Sequence, residues 1–309
     1  MKRMVKSFLL FSILLFCAAM LIYFKPSTIM DFVLINVQNI SKALSPTGEP
    51  WFTIPTDTPT PEPPEQIVTL TPTENTKKSL LDLLKISAEP VGKTMYVWGG
   101  GWNEEDTAAG IEAVTLGISD AWEAFALQQD SSYDYNNTKF QIHDGLDCSG
   151  YMGWVVYNVL ETENEKDGYV LSASKMAEDF ANRGLGDYLT TSELNHHWQA
   201  GDIMSMKGHV WMVVGMCEDG SVLMLHSSPP GVGFYGTTLA DGSKSQAVAL
   251  AEQVMKTHYP DWYAKYPKCD RPYSYLTTSS AMRWNRETLT DAENLSNMSA
   301  EEIVTKIFE

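Results

Sequence analysis

The chain has 309 residues, of which 44% are hydrophobic and 20% charged, an ordinary balance for a globular protein. Acidic residues outnumber basic ones by 39 to 22, and a net charge of -17 leaves no electrostatic footprint for nucleic acid. The four cysteines, Cys17, Cys148, Cys217 and Cys269, match no zinc spacing and are too few for a disulfide scaffold, so neither a metal nor a cofactor is expected.

Lys2, Arg3 and Lys6 precede an uncharged run from 7 to 24, closed by Lys25. As a helix this run spans about 27 Å, close to a bilayer core. Its basic flank predicts that everything downstream is exported. Residues 1–25 therefore read as a signal-anchor, with a cleaved signal peptide as the alternative. The expected location is the cell membrane, with the folded part outside, or the cell wall after secretion. Residues 26–76 comprise a juxtamembrane segment and a linker rich in proline and threonine (Thr-Pro-Thr-Pro-Glu-Pro-Pro-Glu). That composition cannot build a core and favours an extended spacer.

The folded domain is expected over 77–290, with a helical tail at 291–309. Leu80, Leu81, Leu83, Leu84 and Ile86 predict an amphipathic helix. Met95-Tyr96-Val97-Trp98 reads as a strand, and Gly99-Gly100-Gly101 as a bend or a close approach of backbone. Residues 102–146 are polar with scattered aromatics and read as a long insertion holding one helix between 110 and 127.

Asp147-Cys148-Ser149-Gly150 then opens a helix whose apolar residues Met152, Val155, Val156 and Val159 share a face. Asp147 is a good N-cap, which puts Cys148 in the first turn, where the partial positive charge favours a thiolate. A lone cysteine at a helix start is more often a buried structural residue. Further helices are expected over 174–182, before Gly184, and over 192–200. His196-His197 reads as a solvated helix end.

A hairpin follows, running from Gly208 to His226. Asp219-Gly220 between apolar runs predicts a two-residue type I′ turn. That register sets His226 opposite Val213, and alternation along the strand then puts His209 and His226 on one face. Beyond it, helices are expected over 245–256 and 299–308, and a closing strand at 281–284. Export leaves a Cys217–Cys269 bridge open.

A thiolate nucleophile needs a base within reach, and the base needs a third group to fix its orientation. Cys148, His209 and His226 supply these in order. At this point the chain resembles the NlpC family of bacterial cell-wall cysteine endopeptidases. The matching segments are Tyr-Val-Trp-Gly-Gly at 96–100, Asp-Cys-Ser-Gly at 147–150, Gly-Asp-Ile-Met at 201–204, Gly-His-Val-Trp-Met-Val-Val-Gly at 208–215 and Leu-His-Ser at 225–227. Each is weak alone; together they span about 130 residues in the family's order.

The resemblance implies an α+β, papain-like fold, with helices packed on a curled antiparallel β-sheet. It implies hydrolysis of an amide in peptidoglycan stem peptides, with Cys148 as nucleophile, His209 as base and His226 as its orienting partner. Tyr96 matches a family tyrosine beside the nucleophile, in the oxyanion hole or against substrate, and Asp147 and Ser149 match positions that shape the substrate site. Trp211 departs from the usual small residue, and is expected either to narrow the groove and stack on substrate or to fill a hydrophobic gap. The longer stretch at 102–146 is a candidate lid or recognition element, and 228–285 carries no assigned role. The expected partners are stem peptides and, through the N-terminus, the membrane. A catalytically silent wall-binding module on the same fold is the competing reading. An amidase or acyltransferase using the same thiol is a variant of the first.

Overall fold

The computed structural model describes residues 78–160 and 167–309. The anchor at 1–25 and the linker at 26–76 lie outside the described residues. Among the described residues no helix is long and apolar enough to cross a membrane.

The first helix, α1 (Leu80–Ala88), begins at a capping box. The Ser79 hydroxyl accepts the Asp82 amide at 3.1 Å, and the Asp82 carboxylate accepts the Ser79 amide at 2.8 Å. Two donors that a helix start leaves unpaired are thereby satisfied. Leu80, Leu83 and Leu84 turn inward.

The centre of the domain is α3 (Cys148–Leu160), in which all but two residues are buried. A helix that is apolar on every side needs cover on every side. On one side Tyr151 donates to the Ser87 carbonyl at the end of α1, 2.7 Å away. Another side is closed by residues 102–146, which pack as part of the core. This segment holds a 3₁₀ turn (Ile111–Val114) and the short helix α2 (Asp120–Leu127) in place of the single expected helix. Trp122 is fully buried and meets Trp154 of α3 edge to face, with ring centroids 6.0 Å apart. Asn158 of α3 accepts the Gly117 amide at 2.7 Å and donates to the Thr115 carbonyl at 3.2 Å.

The fold class is α+β. The sheet has seven strands: β1 (Gly186–Leu189), β2 (Ile203–Met206), β3 (His209–Met216), β4 (Val222–Ser228), β5 (Gly231–Thr237), β6 (Asp270–Arg271) and β7 (Ser280–Trp284). Their spatial order is β1-β7-β2-β3-β4-β5-β6, and the sheet is not closed. It is mixed rather than purely antiparallel, because β6 runs parallel to β5. The C-terminal strand β7 lies between β1 and β2, not at an edge.

Period-2 alternation gives the sheet two apolar faces. Val210, Met212, Val214, Leu223, Leu225 and Phe234 join the main core with α1 and α3. Completing that layer are α6 (Gln246–His258), α7 (Pro260–Lys265) and, over β3, α9 (Ala300–Phe308). Trp211, Val213, Met224 and Tyr235 form a second core on the other face, under Leu194, Trp198 and Leu276. Those residues come from α5 (Thr191–Leu194), its following loop, and α8 (Ser274–Thr278). The fourth helix, α4 (Met176–Asn182), packs beside β7 and β1.

Several local expectations change in three dimensions. Met95 makes isolated bridges to Gly145 and Gly231, so 95–98 is not a regular strand. The helix expected over 192–200 ends at Leu194, because Asn195 and His196 adopt positive φ; His196 and His197 therefore lie past a helix end. Cys217 and Cys269 are both free and buried, so the bridge does not form.

Candidate active site

Cys148 is held by three neighbouring features. Its helix is capped by Asp147, whose Oδ1 accepts the Gly150 amide at 2.7 Å and the Ser149 hydroxyl at 2.8 Å. Ser149 Oγ also accepts the Trp102 indole N–H at 3.1 Å. The hydroxyl is thus engaged on both sides and buried, which makes Ser149 a brace for the helix start. The Gly99–Gly101 turn presses against α3: a Cβ on Gly150 would lie 2.0 Å from the Gly100 carbonyl oxygen. Gly99 and Gly101 have φ of +86° and +88°, the left-handed region that glycine occupies at least cost. On the sheet side, the Ser227 hydroxyl of β4 donates to the Leu146 carbonyl at 2.6 Å.

The β3–β4 ladder stops at Met212 and Leu225. Beyond that point the backbone at Val210 comes within electrostatic reach of the Cys148 thiol and lowers its pKa slightly. The start of α3, with Cys148, thus faces the start of β3, where His209 stands at the open end of the hairpin.

The two histidines do come together: His209 Nε2 lies 2.6 Å from His226 Nδ1. The route differs from the expected hairpin. The turn is a three-residue loop over 218–220, with the Cys217 amide on the Ser221 carbonyl at 2.8 Å and Gly220 at φ +80°. That shifts the register by one. A bulge between Val213 and Gly215 shifts it by one more, so Val213 pairs with Met224. One slip would have separated the imidazoles; two restore the original face.

Two residues that the sequence reading left out complete the group. The Arg271 side chain of β6 donates from Nε to His226 Nε2 at 3.1 Å and lies 3.8 Å from the centre of the Tyr235 ring. The Tyr275 ring of α8 is 5.6 Å from that of His209 and 6.2 Å from that of His226. Neither has a local sequence motif. They arrive through the parallel β5–β6 pairing, which brings 271 beside 237.

Tyr96 is buried, meets Tyr135 edge to face at 5.4 Å, and lies within electrostatic reach of Cys148. Trp211 is fully buried in the second core, its indole N–H donating to the Ser279 hydroxyl at 3.2 Å. It fills a hydrophobic gap and does not line a groove for substrate.

The electrostatics keep the thiol and both imidazoles in their neutral forms. Burial pushes the Cys148 thiol up to about 12, and the Asp147 carboxylate adds to that, so the helix N-terminus does not prevail here. Burial also pushes Asp147 up to about 6. His209 is pushed down to about 3, first by burial and then by the Arg271 charge. His226 falls well below the ordinary histidine range for the same two reasons, with His209 adding to them. Among the described residues there is no cluster of three or more histidine, cysteine or acidic side chains that would hold a metal.

Comparison with known proteins returns no relative: no family model matches the chain, and neither a curated protein nor a solved structure matches it.

Proposed function

We propose that this chain is a papain-like cysteine peptidase of the NlpC type, held outside the cell membrane by its N-terminal segment, that hydrolyses an amide bond in peptidoglycan stem peptides. The observation that carries this reading is the meeting of three groups at the open end of one hairpin. Cys148, at the start of a buried helix, lies within electrostatic reach of the backbone at Val210, the residue after His209, and His209 pairs with His226 at 2.6 Å.

In the proposed reaction Cys148 Sγ attacks the substrate carbonyl. His209 takes the thiol proton and later returns it to the leaving amine, while His226 fixes the orientation of His209. The carbonyl oxygen, negative in the tetrahedral state, is received by the Cys148 backbone N–H, and Tyr96 serves as a second donor or as a substrate contact. Water then attacks the thioester, with His209 again as base, and Cys148 is released. No step needs a metal or a cofactor.

The silent wall-binding reading is favoured by one specific observation, the burial of Cys148, which is only 7% exposed. Incubating the full-length chain in detergent with purified muropeptides separates the two readings. The expected result is new amino termini, identified by mass spectrometry, that disappear in Cys148→Ala while the circular dichroism spectrum stays unchanged. Products at equal yield from Cys148→Ala, or none from the wild type, would overturn the proposal.

A further inference from the structure

We infer that Arg271 is a positioning residue that fixes the tautomers of both histidines and thereby holds the thiol site in its resting state. This inference rests on the proposed peptidase reading for its meaning, but not for its test. Arginine has donors only and does not lose its charge in proteins. The Nε–H of Arg271 points at His226 Nε2 at 3.1 Å, so that nitrogen must be the bare one. A neutral His226 then carries its proton on Nδ1. That proton faces His209 Nε2 at 2.6 Å, so His209 Nε2 is an acceptor in turn. A neutral His209 is left with its proton on Nδ1. Its basic lone pair is spent on His226, and the free side of its ring is a donor.

This is the wrong tautomer for a base that must take a proton at Nδ1. The competent arrangement is the mirror of the observed one: His209 Nε2–H donating to a bare His226 Nδ1, with the His226 proton on Nε2. In that state His226 Nε2–H and Arg271 Nε–H would oppose each other donor to donor. A Cys148 thiolate paired with a doubly protonated His209 meets the same obstacle, since His209 Nε2–H again requires a bare His226 Nδ1. Activation therefore requires the guanidinium to move off His226. Each imidazole then shifts one proton from Nδ1 to Nε2 by exchange with solvent, with no net gain or loss of protons. His209 Nδ1 becomes free to accept the Cys148 proton.

The site around Arg271 is built to hold it. The side chain is 9% exposed, its second nitrogen donates to the Asp270 carbonyl at 2.8 Å, and its plane lies against Tyr235. Among the described residues it forms no ion pair with a carboxylate. A buried guanidinium with only neutral acceptors is poised to be drawn away by an anionic group on a ligand.

The test uses full-length protein in detergent with ¹⁵N-labelled histidine, and His226→Gln to assign the His226 signals. The expected spectrum has His226 protonated at Nδ1 and bare at Nε2. Arg271→Met should reverse that pattern and raise the rate of Cys148 alkylation by iodoacetamide at pH 7 by about tenfold, the change that one unit in the thiol pKa brings. Protonation of wild-type His226 at Nε2 would overturn the inference, as would an unchanged pattern in Arg271→Met. If that variant does not fold, the wild-type spectrum decides alone. A chain that shows the expected tautomer yet cleaves no muropeptide keeps Arg271 in this role and removes the peptidase.

Discussion

The contact between Gly150 and the Gly99–Gly101 turn provides a sharp test of how the Cys148 helix is seated. Replacing Gly150 with alanine puts a Cβ 2.0 Å from the Gly100 carbonyl oxygen and 3.0 Å from both Gly100 C and Gly101 Cα. All three atoms are backbone, so no side chain can swing away. The turn must retreat, and the hydrogen bond from the Asp147 amide to the Gly100 carbonyl, now 3.0 Å, is stretched. Overpacking of this kind costs about 1–3 kcal/mol and the hydrogen bond about 1 kcal/mol more. Alanine recovers about 1 kcal/mol through its better helix propensity. The net loss is about 1–3 kcal/mol, or about 3–9 °C in Tm for a domain of this size. Gly117→Ala is the control, because it has φ +78° but nothing within 4 Å of an added Cβ. Its cost is backbone strain alone, about 1 kcal/mol. Urea unfolding followed by tryptophan fluorescence measures both. A loss in Gly150→Ala no larger than in Gly117→Ala would refute the steric account.

Two further predictions concern buried charge and pH. Asp202 is 1% exposed and accepts Arg283 twice, Nε at 2.9 Å and an NH group at 2.7 Å, joining the start of β2 to β7. Breaking a buried pair leaves a charge uncompensated, so Asp202→Asn should cost about 3 kcal/mol in urea unfolding, and a loss under about 1 kcal/mol would contradict the pairing. His209 and His226 are held neutral when folded, while in the unfolded chain they bind protons near pH 6.5. The unfolded state thus binds more protons on acidification, and each histidine removes about 1.4 kcal/mol per pH unit as pH falls below about 6.5. Asp147, raised to about 6, acts in the opposite sense between about pH 6 and 4, where the folded chain holds the extra proton. Unfolding free energies measured from pH 7 to 4 should therefore show a flatter pH dependence in His226→Gln, by about one proton, and parallel curves would count against a neutral buried His226.

The capped helices were legible because their signals are local. Ser79 with Asp82, and Ser299 with Glu302, form capping boxes within four residues, and the apolar spacing behind each gives the buried face. Cys148 was legible as a helix-start residue for the same reason. That the segment at 102–146 packs as part of the core is not legible, because its few large apolar residues are not periodic; Trp122 shows its purpose only against Trp154 of α3, and Asn158 of α3 only against Thr115 and Gly117 of the segment. Alternation along β3 puts Trp211 on the face of His209, but the sequence does not tell that this face is roofed by α8 and the residues after α5.

What the sequence alone determined is the order of chemical groups along the chain: a capped cysteine, then two histidines on one hairpin. What only the tertiary structure decided is their state. The shared face survived because a three-residue turn and a bulge each slipped the register once, a cancellation that no local pattern encodes. Burial sets the protonation of Cys148, His209 and His226, and burial is a property of everything packed around them. Arg271, distant in sequence and free of any motif, reaches His226 only because β6 lies parallel beside β5, and one donor at that nitrogen settles where the protons of two imidazoles sit.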